Sequence, residues 1–143
     1  MRFWDPSAII PLLREENTSR SARSIHSDDG RMFVWWGAEL ECVSAVARVE
    51  RTGADPEEIS ESLQRLDAFA SGWDEVGPGA TVRRSARRLL RTHDLRVADA
   101  LQLAAALQAS EGIPSMLDFV SQDSRLNDAA RREGFIVVDP RAV

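Results

Sequence analysis

Short apolar runs without polar alternation are the feature that most limits what this chain can fold into. Met32-Phe33-Val34-Trp35-Trp36 and Phe135-Ile136-Val137-Val138 are such runs, Met116 to Val120 is a third interrupted only by Asp118, and segments of helical periodicity separate them. A run of this kind marks a strand buried on both faces, which is the situation of a parallel sheet covered by helices. The opening Met1-Arg2-Phe3-Trp4, ended by the turn signal Asp5-Pro6-Ser7, reads as one more strand. The expected fold is α/β: a central parallel sheet of about four to five strands with helices on both faces.

The helical segments carry their own punctuation. Ser7 to Glu16 places Ile9, Ile10, Leu12 and Leu13 in a helix that Pro11 threatens to kink or delay. Asn17 to Asp29 reads as a second, largely solvated helix. After Gly37, the apolar residues Leu40, Val43, Val46 and Val49 recur at helical spacing up to Thr52-Gly53. Asp55-Pro56-Glu57-Glu58 combines an N-cap, a proline at the first position and a Glu three residues beyond the cap. That helix would turn Ile59, Leu63, Leu66 and Phe69 inward. Trp73 to Ala80 is expected as a loop or very short strand, with Trp73 exposed and available to a partner groove. Helices from Thr81 to His93, Arg96 to Glu111 and Asp123 to Glu133 complete the reading. The length of 143 residues suits one domain, 1–143.

Several chemistries are excluded by what is missing. All 18 basic residues are arginine, and there is one cysteine, Cys42, and two histidines, His26 and His93. Without lysine there is neither a Schiff-base enzyme nor a Walker-type phosphate loop. One cysteine and two distant histidines cannot supply the set of about four N/S ligands of a structural zinc site, and a lone cysteine leaves no internal disulfide. Cys42 reads as a small buried hydrophobe, and neither histidine is assigned a role. No apolar run approaches the roughly 18 residues of a membrane span, and Asp5-Pro6 interrupts any signal-peptide pattern, so a cytoplasmic protein is expected. The 23 Asp and Glu residues give a net charge of −5, which argues against a simple electrostatic nucleic-acid binder.

Carboxylate is therefore the available functional group. Ligands of α/β folds gather at the carboxyl ends of the strands. Asp5 ends the first strand, Glu41 opens the helix after Met32–Trp36, and Asp123 follows Val120 after Ser121-Gln122. Asp99 is the odd one, because it sits within the strongly apolar helix Leu95 to Leu107, where an aspartate has low propensity and costly burial. Each of the others has a plain alternative: Asp5 and Asp123 as helix N-caps, Glu39 and Glu41 as solvated helix residues. If the acids converge, they form an oxygen-only site for a hard cation such as Mg²⁺ or Mn²⁺, suited to hydrolysing a phosphodiester.

The blocks Phe3-Trp4-Asp5-Pro6-Ser7-Ala8, Glu41 to Arg48, Leu95 through Leu107, and Phe119-Val120-Ser121-Gln122-Asp123-Ser124-Arg125-Leu126 with Ala129-Ala130 and Gly134 resemble PIN-domain proteins. Within that superfamily they are similar to VapC toxins of bacterial toxin–antitoxin pairs. The resemblance implies a Mg²⁺- or Mn²⁺-dependent endoribonuclease whose metal-binding, catalytic acids are Asp5, Glu41, Asp99 and Asp123. Glu41 is preferred to Glu39 for its seven-residue spacing to Arg48, which similar sequences share. Ser7 and Ser121 take the place of supporting hydroxyls, and Gln102 stands where a histidine is frequent. An RNA substrate, a small cognate antitoxin and a homodimer are implied as partners. A non-toxin RNA-processing PIN nuclease and a catalytically silent PIN-like binding module are the competing readings. Arg83, Arg84, Arg87, Arg88 and Arg91 form a stripe at helical spacing, either a solvated face or an RNA-binding track in which Arg84, Arg87, Arg88 and Arg91 meet phosphates.

Overall fold

Side chains alternate along each strand between two cores, one on either face of the sheet. In β1 (Arg2–Trp4), β2 (Met32–Trp35) and β4 (Asp118–Val120), Phe3, Trp35 and Phe119 enter one core, while Trp4, Met32, Val34 and Val120 enter the other. The computed structural model describes residues 1–143. Two further strands, β3 (Asp74–Val76) and β5 (Ile136–Val138), complete a five-stranded, all-parallel sheet in the order β3-β2-β1-β4-β5. This confirms the α/β class and its parallel sheet.

Seven helices cover the sheet: α1 (Pro6–Leu13), α2 (Ser19–Asp28), α3 (Ala38–Arg51), α4 (Pro56–Ala70), α5 (Ala80–Thr92), α6 (Val97–Ala109) and α7 (Ser124–Arg132). The Phe3–Phe119 core takes Val82, Ala86 and Leu89 from α5, Leu103 and four alanines from α6, and Leu126 from α7. The Trp4–Val120 core takes Ala8, Ile9 and Leu13 from α1, Ile25 from α2, Cys42 from α3 and Leu66 from α4. Phe3 and Phe119 stack with their ring centroids 5.5 Å apart, tying the two central strands together on one face. No helix is long and apolar enough to cross a membrane.

The order of strands creates a reversal. From β1 the chain moves outward to β2 and β3, then crosses back to place β4 on the other side of β1 and β5 beyond it. The carboxyl ends of β1 and β4 are thus neighbours whose onward connections diverge, which leaves a crevice between them. Trp4 is in register with Val120, and the Asp5 amide donates to the Val120 carbonyl at 3.0 Å.

Four local expectations change. β4 begins at Asp118, because Pro114–Met116 forms a 3-10 turn that leaves Met116 at 77% exposure. On α3 the buried stripe is Ala38, Cys42 and Val46, four residues apart, while Leu40 and Val43 face outward. Two apolar stripes run along that helix, and the small Ala38 and Cys42 allow the closer approach to the sheet. Trp73 is buried rather than exposed, because it enters the second core just before β3, and its Nε1 donates to Glu75 Oε2 at 3.1 Å. Finally, α1 runs unbroken through Pro11, with Pro6 at its first position.

Candidate active site

Both cap readings are borne out. Asp5 is the N-cap of α1, where its Oδ2 accepts the Ser7 amide at 3.1 Å. Asp123 is the N-cap of α7, where its Oδ1 accepts the Leu126 amide at 3.0 Å. Each cap occupies one carboxylate oxygen, and every side-chain hydrogen bond of Asp5 falls on Oδ2. The other oxygen of each accepts no hydrogen bond from the protein.

The loops that carry these acids are fastened to each other by Ser7, Ser121 and Gln122. The Ser7 and Ser121 hydroxyls share a hydrogen bond of 3.3 Å, and Ser121 Oγ also donates to Asp5 Oδ2 at 3.4 Å and accepts the Asp123 amide at 3.1 Å. Ser7 Oγ accepts the Gln122 amide at 3.0 Å. Pro11 now acquires a purpose. In a regular helix the residue-11 N–H would bond the Ser7 carbonyl, but proline has none. Gln122 Nε2 donates to that carbonyl instead, at 2.7 Å, so a gap in α1 becomes the anchor for the β4–α7 loop. Asn127 supports the same loop from α7 by donating to the Ser121 carbonyl at 2.9 Å. Sequence patterns assigned no role to Gln122 or Asn127. The proline four residues after Ser7 was the signal for an unpaired carbonyl, although its partner lies 115 residues away.

Glu41 projects from the first turn of α3 and Asp99 from the first turn of α6. Gln102, one turn along α6 and 1% exposed, donates its Nε2 to Glu41 Oε2. Its Oε1 is buried without a partner. Gln102 thus fixes the Glu41 carboxylate at the position where similar sequences favour histidine.

Burial and neighbouring charge perturb three of these acids. Burial pushes the Asp5 carboxyl up to about 7, from 3.8, against the lowering effect of its Ser7 hydrogen bonds; Glu41 and Asp99 add to the rise. Glu41 is raised by burial and by Asp99, while its bond from Gln102 lowers it. Asp99 is raised by burial and by Asp123, with Arg96 and Arg125 acting in the opposite direction. Three carboxylates are therefore destabilised in their charged form, each in the field of another. They do not close into a cage: no three His, Cys, Asp or Glu side chains stand in coordinating geometry. Mutual repulsion opposes closer approach, and a cation would relieve it. The donor set is all oxygen, which fits a hard divalent ion such as Mg²⁺ or Mn²⁺. Cys42, beside Glu41, is wholly buried with its thiol pushed up to about 12, so it offers neither a thiolate ligand nor a nucleophile.

The arginine stripe lies on the exposed face of α5, opposite Val82, Ala86 and Leu89. Arg88 is already engaged: its Nη2 and Nη1 donate to the two oxygens of Glu133 at 2.6 and 3.3 Å. The same carboxylate meets His93 Nε2 at 2.6 Å, which pins the α5–α6 corner to the end of α7.

The PIN domain model matches residues 3–132. Solved structures of similar fold include a toxin–antitoxin complex from Klebsiella pneumoniae, at 13% identity and TM-score 0.69 over 98% of both chains. FitAcB from Neisseria gonorrhoeae aligns at 16% identity and TM-score 0.71 over 100% of both. VapBC2 from Rickettsia felis, bound to a DNA fragment from its promoter, aligns at 10% identity and TM-score 0.64, over 96% of this chain and 97% of that one. No curated protein sequence matches. The family model covers both strand-end loops and all four acids, and the five-stranded sheet places those loops side by side: the chain belongs to the PIN domain family.

Proposed function

We propose that the protein is a Mg²⁺- or Mn²⁺-dependent endoribonuclease and the toxin of a toxin–antitoxin pair, acting in the cytoplasm. The observation that supports the nuclease reading is the pair of capping acids Asp5 and Asp123 on adjacent, Ser7–Ser121-bridged loops at the sheet reversal, with Glu41 and Asp99 in the first turns of α3 and α6. These four would hold the metal. Bound there, the ion supplies the positive charge that activates water and offsets charge developing on the phosphate. The chain's own contribution is placement. The Ser7–Ser121–Gln122 clamp holds Asp5 and Asp123 on one rim, and Gln102 orients Glu41 from the floor.

The toxin part is supported by the fold shared with a toxin–antitoxin complex from Klebsiella pneumoniae, together with the resemblance of the sequence blocks to VapC toxins. An antitoxin and a second copy of the chain are the partners that follow. Trp36, Leu40 and Val43 give either one an exposed apolar stripe where α3 leaves β2. The decisive experiment incubates structured RNA with the protein in Mg²⁺, Mn²⁺ or EDTA, beside Asp99→Asn. Metal-dependent cleavage abolished by the substitution is expected. Equal cleavage by the variant would refute the catalytic assignment. Growth arrest on expression, relieved by a co-purifying small protein, separates a toxin from a housekeeping nuclease.

A further inference from the structure

Another acid stands at the carboxyl ends of the strands. Asp139 directly follows β5, as Asp5 follows β1, and β5 lies in register beside β4 with Val138 opposite Val120. Its position alone would make Asp139 a fifth site acid. Its hydrogen bonds give it a different task. Oδ1 accepts the Arg141 backbone amide at 2.9 Å and Arg141 Nε at 3.0 Å. Oδ2 accepts Arg141 Nη2 at 2.7 Å and Asn127 Nδ2 at 3.3 Å. Both oxygens are taken up by the protein, whereas Asp5 and Asp123 each keep one without a partner.

The two partners of Asp139 reach the chain on either side of Asp123. Asn127 is 1% exposed, and its Nδ2 also donates to the Ser121 carbonyl at 2.9 Å, two residues before Asp123. Arg141 Nη2 also donates to Ser124 Oγ at 3.1 Å, one residue after Asp123. The Ser121 amide donates to the Val138 carbonyl at 3.2 Å, and the Asn127 amide to the Asp123 carbonyl at 2.8 Å. One carboxylate at the end of β5 thus holds both flanks of a candidate metal ligand that it does not itself touch. Acids gathered to receive a cation repel one another before it arrives, so a loop that carries one of them needs such holding. The Asp139–Arg141 pair does this without adding net charge beside the acids.

We infer that Asp139, Asn127 and Arg141 form a brace, built by the last residues of the chain, that positions Asp123 for the metal ion. The inference rests on the metal-dependent nuclease reading for the ion. It adds three positioning residues that touch neither ion nor substrate and act through Asp123, as the outer partners of metal ligands do.

The test is the affinity of the full chain for Mn²⁺ in the absence of RNA, measured by isothermal titration calorimetry, with RNA cleavage assayed alongside. Asp139→Asn removes a negative charge, Arg141→Gln removes a positive one, and Asn127→Ala changes none. All three are expected to weaken Mn²⁺ binding about tenfold. A through-space effect of charge would weaken binding in the first, tighten it in the second and leave the third unchanged. Glu133→Gln releases a similarly clasped carboxylate at the other end of α7 and should leave Mn²⁺ affinity as it is. In an Asp123→Asn background, Arg141→Gln should weaken binding no further, because the brace acts through that carboxylate. If the buried Asn127→Ala variant does not fold, Arg141→Gln, at an exposed side chain, decides by itself. The inference is overturned if Arg141→Gln binds Mn²⁺ as tightly as the parent or more tightly, if Glu133→Gln loses as much, or if the full loss persists without Asp123. A parent chain that binds Mn²⁺ but leaves RNA uncut refutes the nuclease reading and leaves the brace standing; one that binds no Mn²⁺ refutes both.

Discussion

Replacing Asp5 with asparagine is expected to stabilise the metal-free protein while ending its activity. Asp5 is 6% exposed, and burial, aided by Glu41 and Asp99, lifts its carboxyl from 3.8 to about 7. Between those two values the folded chain keeps a proton that the unfolded chain releases. Stability therefore falls as pH rises through this window and levels off above it. A rise of about three pH units corresponds to at most about 4 kcal/mol, fully expressed near pH 8 and almost absent near pH 4. Asparagine has the same shape and no charge to desolvate, and its amide oxygen can still accept the Ser7 N–H as a cap. In EDTA, Asp5→Asn should thus gain about 2–4 kcal/mol near pH 8, on the order of 10 °C in Tm, and little near pH 4. Thermal and urea melts at both pH values measure this. Added Mg²⁺ should raise the Tm of the parent protein and leave the variant nearly unmoved. The reasoning is refuted if the variant is no more stable near pH 8, or if its gain is the same at both pH values.

The clamp gives a second prediction. Gln122→Ala strands the Ser7 carbonyl and should cost about 1–2 kcal/mol, and Pro11→Ala, which restores a helical N–H to that carbonyl, should recover part of the loss in a double-mutant cycle. Glu133 is held below the usual carboxylate range by its bonds from Arg88 and His93, so its contribution is present above the ordinary glutamate value and fades as pH falls through the lowered one. Glu133→Gln should accordingly lower the denaturation midpoint at neutral pH, and the difference should close in acid. Leu103→Ala, at a site of zero exposure in the first core, should cost about 2–5 kcal/mol in urea unfolding. Cys42, buried with its thiol near 12, should resist a disulfide reagent near pH 8 until the chain is unfolded, and prompt reaction in the native state would contradict that burial.

Much of the candidate site was legible in the chain itself. Asp99 stood out because an aspartate inside an alanine- and leucine-rich helix has no packing reason to be there. Asp5 and Asp123 could be read as caps or as site acids, and the structure shows them capping through a single oxygen each, so the two roles do not exclude one another. Glu41 was separable from Glu39 only by similarity to other sequences, whereas in the fold it is Glu41 that receives the hydrogen bond from the buried Gln102. Arg141 and Gln122 carried no pattern at all: their partners lie across the sheet reversal, and local periodicity says nothing about contacts at that separation.

The sequence by itself determined the class of fold and the identity of its elements. Continuous apolar runs require burial on both faces, and caps and prolines mark where helices begin, because these preferences are satisfied within a few residues. Only the tertiary structure decided which surfaces meet. It chose Ala38, Cys42 and Val46 over Leu40 and Val43 for the buried face of α3, drew Trp73 inward, and set β1 beside β4 so that two distant caps share one crevice. The physical reason is the same each time. Periodicity fixes which residues share a face, but close packing and strand order fix what that face is pressed against.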